Sequence, residues 1–181
     1  WTFDSCRAFL AHLSVTHNTL RASNGRPLRA LKLGSCWGGW TCSNPSYHAP
    51  AHYIAFRDFM VHYSPIWGLS SDEGSAAEAD WDALIETSHT ILADSQCPTT
   101  GLVPNWFVPS QSDSAVAGTA GCSGSGTPAG EFGSEASRTA WRLAIGWLWY
   151  GNEASGLMAR RMAAHATSVL SNYGANGCYT T

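Results

Sequence analysis

The chain has 181 residues, 44% of them hydrophobic, and its formal net charge is −3 at pH 7. This length is typical of one domain or part of a larger one, and the apolar content suffices for a folded core. Ten Lys and Arg residues against 13 Asp and Glu residues offer no basic surface for phosphates, so we expect no binding to nucleic acid. No apolar run reaches the roughly 18 residues of a membrane helix, so we expect a soluble protein that does not bind a membrane.

Apolar spacing predicts five helices, and the class is therefore all-α. Pro50 suits the first turn of the second helix, and Gly151 is a natural stop for the fourth. The third and fourth helices carry apolar residues at i, i+3, i+4 and i+7, and no alternating strand pattern competes with them. The five segments are residues 5–15, 50–63, 76–95, 135–150 and 153–172.

Two long connections, residues 34–49 and 97–134, separate these helices. Loops longer than about 15 residues inside a compact domain are usually functional or disordered. Residues 97–109 contain apolar side chains and are predicted to pack, whereas residues 110–130 are rich in Gly and Ser. We interpret residues 110–130 as an insertion in a single helical module spanning residues 1–181, with a lid as the alternative.

The cysteines predict disulfide bonds and an oxidising compartment. Their even number, their wide spacing and the presence of a single Lys favour a secreted protein, with buried thiols as the alternative. No Cys-x-x-Cys pair suggests a zinc or thioredoxin-type site, and the sequence does not select a pairing. The chain begins at Trp1 rather than Met, which indicates a processed protein or a fragment. The six cysteines are Cys6, Cys36, Cys42, Cys97, Cys122 and Cys178.

The first candidate site is the aromatic loop before the second helix. Trp37 and Trp40 are separated by two glycines, which allow a close approach of the backbone to a ligand, and Tyr47 follows an Asn-Pro-Ser turn. Nine Trp residues are many for this length, and exposed indoles stack on flat apolar ligands such as sugar rings. A Trp-filled loop that only caps the core is an equally good interpretation.

The second candidate is Glu135, in the first turn of the fourth predicted helix. The positive end of the helix dipole favours an ionised carboxylate there, and such a group can act as a general base towards water. Arg138, three residues on and on the same face, could orient it. An ordinary ion pair at a helix start is the alternative that the residues alone favour.

We expect no metal site and no cofactor. His48 and His52 are four residues apart, as metal ligands on a helix often are, but no acidic residue lies between them and no third ligand is evident. Nothing in the chain matches a phosphate-binding loop or a nucleophile elbow.

Four segments, taken in chain order, match the pattern of one known family. They are Asn44–Tyr47 with the following Tyr53, Gly101–Trp106, Glu135–Ala144 and Trp147–Gly151. Together they resemble glycoside hydrolase family 8, which comprises inverting endoglucanases, xylanases and chitosanases. The resemblance covers about residues 35–151 and implies an (α/α)6 barrel with a sugar cleft at one end. That barrel takes roughly twice this length, so the chain resembles its C-terminal half.

The resemblance also implies catalytic roles. Tyr47 would help to hold the attacking water, and Glu135 takes the place of the catalytic-base Asp in a Tyr-Asp-Ala-x-Arg motif, whose Arg is Arg138. Ser134-Glu135 replaces the Tyr-Asp of that motif, so the carboxylate is one methylene longer and a ring is lost. Some chitosanase-like members take the base from an inserted segment, which makes Glu131 a second candidate.

The predicted substrate is a β-1,4-linked polysaccharide of the cellulose, xylan or chitosan type. By resemblance Trp37 lines a sugar subsite, and we assign Trp40, Trp106 and Glu131 to substrate binding with it. The catalytic acid has no counterpart in this chain, so we expect the rest of the barrel to complete the enzyme, supplied for example by a second chain. The alternative is a non-catalytic pseudoenzyme that serves as an extracellular glycan-binding or structural assembly subunit.

Overall fold

The computed structural model describes residues 10–12, 14–34, 36–66, 68–111, 122 and 128–173. Cys6 and Cys178, the start of the predicted helix 5–15 and most of the predicted insertion at residues 110–130 lie outside these ranges. Within them, no helix combines the length and the apolar character needed to cross a membrane.

The described chain is mainly helical, which confirms the predicted class. Residues 10–12 and 14–17 are helical. Five further helices follow: α1 (Pro50–Tyr63), α2 (Ser71–Ser95), α3 (Ser134–Ser137), α4 (Thr139–Tyr150) and α5 (Glu153–Tyr173). Helix α1 begins at Pro50 and α4 ends before Gly151, whose left-handed backbone (φ 60°) ends the helix as predicted.

Two helix boundaries differ from the prediction, each for a local reason. Helix α2 begins earlier than residue 76 because a capping box lies at its start. The side chain of Ser70 accepts a hydrogen bond from the backbone N–H of Glu73, and the side chain of Glu73 accepts one from the backbone N–H of Ser70. The predicted helix 135–150 is divided into α3 and α4 at Arg138, where the backbone N–H bonds to Ala136 rather than to the residue four positions back.

A small antiparallel sheet was not predicted from the sequence. Its strands are β1 (Thr19–Arg21), β2 (Arg29–Gly34) and β3 (Trp37–Gly38), paired in that order. The strands are too short for a clear alternation of apolar and polar residues. Gly38 and Gly39 have positive φ, and a Cβ at Gly38 would lie 2.6 Å from the backbone nitrogen of Leu33. In this structure these glycines therefore allow close approach of neighbouring strands.

The core consists of two helical clusters joined along α2. One end of α2 packs with α1 through Trp81, Leu84 and Met60, and its other end contributes Leu92 to a cluster with Leu143 and two methionines of α5. The connection between α4 and α5 is two residues long, so these helices form a hairpin. Several large apolar side chains of this hairpin are exposed, among them Trp147, Leu148 and Leu157.

A disulfide bond joins Cys42 to Cys122 and closes a third, smaller cluster around the buried Trp106. It ties residue 122 to the turn that leads into α1. Beside it, the backbones of Ser43 and Phe107 exchange two hydrogen bonds of 2.8 and 3.0 Å. The two long connections predicted from sequence therefore lie side by side, where they can position side chains jointly.

Candidate functional site

Glu135 lies at the start of α3 and is held by two side chains. Its Oε2 accepts a hydrogen bond from the guanidinium of Arg138, with which it forms an ion pair, and a second of 2.7 Å from Nδ2 of Asn44. The side chain of Glu135 is 25% exposed, so solvent can reach it. Within the described part of the chain, Oε1 accepts no hydrogen bond. One oxygen is thus anchored and the other is available to a water molecule.

The orientation of Asn44 is determined by its own turn. Its Oδ1 accepts hydrogen bonds from the backbone N–H and the hydroxyl of Ser46, at 2.9 and 2.7 Å, and caps the short 3-10 helix Pro45–Tyr47. Because the oxygen is used locally, the amide N–H points at Glu135. Asn44 is fully buried, so water does not compete for this hydrogen bond.

Tyr47 is presented by the same 3-10 helix, which packs against α3. Tyr47 is 41% exposed, and its backbone carbonyl accepts a 3.0 Å hydrogen bond from the hydroxyl of the buried Tyr53. This bond ties the turn to α1. The structure therefore brings the predicted residues Glu135, Arg138 and Tyr47 into one region, with Tyr47 open to solvent.

Asn105 supports α3 from the other side. Its Oδ1 accepts hydrogen bonds from the backbone N–H groups of Gly133 and Ala136, at 3.1 and 3.0 Å. Its own backbone N–H donates to the carbonyl of Glu131, at 2.8 Å. Glu131 is exposed, and its backbone is thereby part of the loop that leads into α3.

The three predicted sugar-binding tryptophans have different surroundings. Trp37 is 50% exposed and its ring lies 6.2 Å from that of Trp106, at an interplanar angle of 33°. Trp106 is buried behind it, next in sequence to Asn105. Trp40 donates its indole N–H to the carbonyl of Arg21 in β1, at 3.1 Å. Trp37 thus presents the open face of the pair.

The two histidines considered as metal ligands have structural partners. His48 is buried between the hydroxyls of Ser43 and Ser88, at 2.8 and 2.9 Å, and burial lowers its pKa to about 4. His52 lies against the rings of Trp141 and Trp149. In the described ranges, no group of three or more His, Cys, Asp or Glu side chains could hold a metal ion.

Two asparagines of the site were not predicted from the sequence. Asn44 bonds the carboxylate of Glu135, and Asn105 bonds the backbone on either side of it. Each was inside a segment that carried the family resemblance, beside Pro45 in one case and after Pro104 in the other. The sequence signal was an asparagine beside a proline in a turn, a position where the asparagine side chain often bonds to the backbone. Its partner in α3 is distant in sequence, so the contact itself was not predictable.

Comparisons with known proteins identify a matching family and several similar relatives. The family model of glycosyl hydrolases family 8 matches residues 12–173. Over 125 residues the chain is 31% identical to Endoglucanase C of Ruminiclostridium cellulolyticum and 32% identical to Endoglucanase 2 of Ruminiclostridium josui. It is 27% identical over 129 residues to Endoglucanase A of Acetivibrio thermocellus.

The alignments cover most of this chain and a small part of each relative. They include 67%, 67% and 68% of the chain, but 20% of each endoglucanase. The chain thus matches about a fifth of the length of these curated relatives. The family match covers most of the 181 residues and includes Asn44, Tyr47, Asn105 and Glu135. From its sequence match and its helical fold, the chain belongs to glycosyl hydrolase family 8.

Proposed function

We propose that this chain is the base-bearing part of a polysaccharide hydrolase that cleaves β-1,4 linkages with inversion. In such a reaction one carboxylic acid protonates the leaving oxygen while a carboxylate activates a water molecule on the opposite face of the sugar. Glu135 is the proposed base, with Glu131 as the second candidate. The acid belongs to a part of the barrel outside these 181 residues.

The observation that carries this proposal is the asymmetric anchoring of Glu135. Arg138 and Asn44 both bond Oε2, which holds the carboxylate in one orientation and supports its negative charge. Oε1 is then available to accept a proton from water. The phenol of Tyr47, exposed on the adjoining 3-10 helix, is suited to orient that water.

The proposed substrate contact is the open indole of Trp37. Half of this side chain is accessible, and Trp106 packs behind it and limits its movement. An indole held in this way offers a flat apolar surface for a pyranose ring. Trp40 and the exposed Glu131 remain proposed substrate contacts. The names of the relatives, all endoglucanases, support a glucan among the β-1,4-linked candidates.

We also propose that the remaining helices of the barrel, in the same polypeptide or in a second chain, cover the outer face of the α4–α5 hairpin. A groove of about 760 Å³ lies there. Exposed apolar grooves of this kind mark interaction surfaces. The part of the relatives that this chain does not match is long enough to supply those helices. The lining includes Leu102, Phe132, Trp141, Trp147, Met162 and Val169.

The groove proposal is tested with a fluorescent apolar probe. The 181-residue chain alone should bind the probe, and the full-length protein should not, because its own helices occupy the groove. A chain that dimerises and then excludes the probe would show that a second copy covers this face instead.

The cysteines support secretion as a further proposal. Cys42 and Cys122 are disulfide-bonded, and such bonds persist in oxidising compartments. Recovery of the protein from the medium of its producing cells, with this bond intact by peptide mass mapping, is the expected result.

The test of the proposed reaction is hydrolysis by the full-length protein with and without Glu135→Gln. The amide cannot accept a proton from water, so we expect turnover of a soluble β-1,4 glucan to fall by at least about 100-fold. Glu131→Gln tests the second candidate: a fall of that size in this variant, with Glu135→Gln still active, would assign the base to Glu131 instead. NMR of the first product should show the anomer opposite to that of the substrate. Wild-type protein that binds glycan without turnover would support the non-catalytic alternative.

A further inference from the structure

We propose that Asn105 is a positioning residue for Glu135, holding the start of α3 in place through hydrogen bonds that this helix cannot make for itself. The inference rests on the proposed role of Glu135 as the base. It assigns to Asn105 a contribution to turnover through the placement of another residue, without contact with the sugar.

Helix α3 cannot be stable on its own. It contains four residues, far fewer than an isolated helix needs, and its N-cap residue is Gly133, which has no side chain to accept the first backbone N–H groups. Those groups must find partners elsewhere, because unpaired backbone N–H groups are unfavourable when buried. Ala136, whose N–H is one of them, is completely buried.

Asn105 supplies the missing cap from a different part of the chain. Its Oδ1 accepts from Gly133 and Ala136, the positions on either side of Ser134 and Glu135. A side-chain oxygen bonded to the third residue of a helix is the usual N-cap geometry, here provided from 31 positions away. The segment that contains Glu135 is thus held at both of its ends.

The amide of Asn105 is itself immobilised. Its Nδ2 donates to the carbonyl of Pro128, at 3.1 Å, and the side chain is 1% exposed. Gly133 leaves the space that this packing needs, since a Cβ there would lie 2.8 Å from Nδ2. Asn105 therefore connects residue 128, at the end of the predicted insertion, to the helix that carries the base.

The consequence for the reaction is geometric. Arg138 and Asn44 hold the carboxylate of Glu135, but neither bonds the backbone at the start of α3. Without Asn105 that backbone can shift, and a displacement of about 1 Å at a reacting group can cost on the order of 100-fold in rate. Sugar binding at Trp37 does not depend on this shift, so kcat should change and KM should not.

The experiment compares three variants of the full-length protein on a soluble β-1,4 glucan. Asn105→Ala should lower kcat by about 10- to 100-fold and change KM by less than about twofold. Asn105→Asp should recover part of the lost kcat, because one carboxylate oxygen accepts the same two N–H bonds while the donor to the Pro128 carbonyl is lost. The matched control is Asn152→Ala, which removes a similar cap at the start of α5. There the backbone N–H of Ser155 donates a 2.9 Å hydrogen bond to Oδ1 of Asn152. This variant should leave kcat unchanged.

Two outcomes would overturn the proposal. One is an equal fall in kcat for Asn105→Ala and Asn152→Ala at matched thermal stability, which would mean a general effect of lost caps. The other is a rise in KM with unchanged kcat.

A measurement independent of turnover separates this inference from the proposed function. Amide hydrogen exchange at Ala136 should accelerate by at least about 10-fold in Asn105→Ala, and also in Gly133→Ala, which presses on the same amide. It should be unchanged in Asn152→Ala. If the wild type does not hydrolyse glycans but exchange follows this pattern, the positioning of α3 stands and the proposed reaction fails. Unchanged exchange at Ala136 in both variants would contradict the positioning itself.

Discussion

The carboxamide of Asn44 donates a 2.7 Å hydrogen bond to the carboxylate of Glu135, although 91 positions separate them in the sequence. Asn44 also caps its own 3-10 helix, so a single side chain orients both the turn that presents Tyr47 and the proposed base. An acid at a helix start thereby becomes part of a defined site.

This relationship predicts that Asn44→Asp is more harmful than Asn44→Ala. The aspartate keeps the turn contacts but places a second carboxylate against Glu135 in a buried position, where like charges are strongly unfavourable. We expect a loss of about 2–3 kcal/mol in the free energy of unfolding at pH 7, and a smaller loss at pH 4.5, where one carboxyl can be protonated. Urea denaturation at both pH values measures this.

Asn44→Ala is the control for the charge. It should lose about 1–2 kcal/mol relative to the wild type, by a similar amount at both pH values, because only uncharged hydrogen-bonding groups are removed. Equal pH dependence of the two variants would show that the two carboxylates are not in contact.

Trp37→Ala should weaken sugar binding without unfolding the protein. Half of the indole is exposed, so its removal costs little stability, whereas a lost stacking surface should lower the affinity for a β-1,4 oligosaccharide by about 10-fold. Isothermal titration calorimetry of the full-length protein measures the affinity.

In Trp40→Ala the lost hydrogen bond to the carbonyl of Arg21 should lower the melting temperature. Weakened binding in Trp40→Ala at unchanged stability would support its predicted sugar contact.

Removal of the Cys42–Cys122 bond should destabilise the site more than the helices. The bond closes a loop of 80 positions, and the double substitution to Ser should cost about 2–4 kcal/mol of unfolding free energy. Thermal unfolding measures the cost, and hydrogen exchange at Asn105 and Phe107 reports the local effect. Cys97→Ser is the control, since Cys97 is exposed and outside that bond, and it should behave like the wild type.

Stability should fall as the pH decreases from about 6.5 to 4. Burial, with a smaller contribution from the neighbouring charge of His89, lowers the pKa of His48 from 6.5 in the unfolded chain to about 4 in the folded protein. Between these values the unfolded chain binds a proton that the folded protein does not, which favours unfolding by up to about 1.4 kcal/mol per pH unit. Burial also lowers the pKa of His89, which acts in the same direction.

The measurement is the free energy of unfolding in urea at pH 7 and pH 5. His48→Gln should reduce the difference between the two pH values, because the substituted side chain does not titrate. His17→Gln, at an exposed position, is the matched control and should leave the difference unchanged. A wild-type stability that is equal at both pH values would contradict the assignment of His48 as a neutral buried group.

The helices and the acid at the start of α3 were predictable because their signals are local. Apolar residues repeat at the helical period, and Pro50 and Gly151 lie where the backbone of a helix begins and ends. Glu135 and Arg138 are one helical turn apart, so their contact also follows from local geometry. The missed sheet has strands of two to six residues, which are too short to show a period.

The sequence by itself determined the helical class, the family resemblance and the residues that could do chemistry. Only the tertiary structure decided which of these side chains meet. Asn44 and Asn105 reach α3 across long stretches of chain, and Cys42 pairs with Cys122 across another. Such contacts depend on how the two long connections pack side by side on the helices, and no periodicity or neighbouring residue in the sequence records that packing.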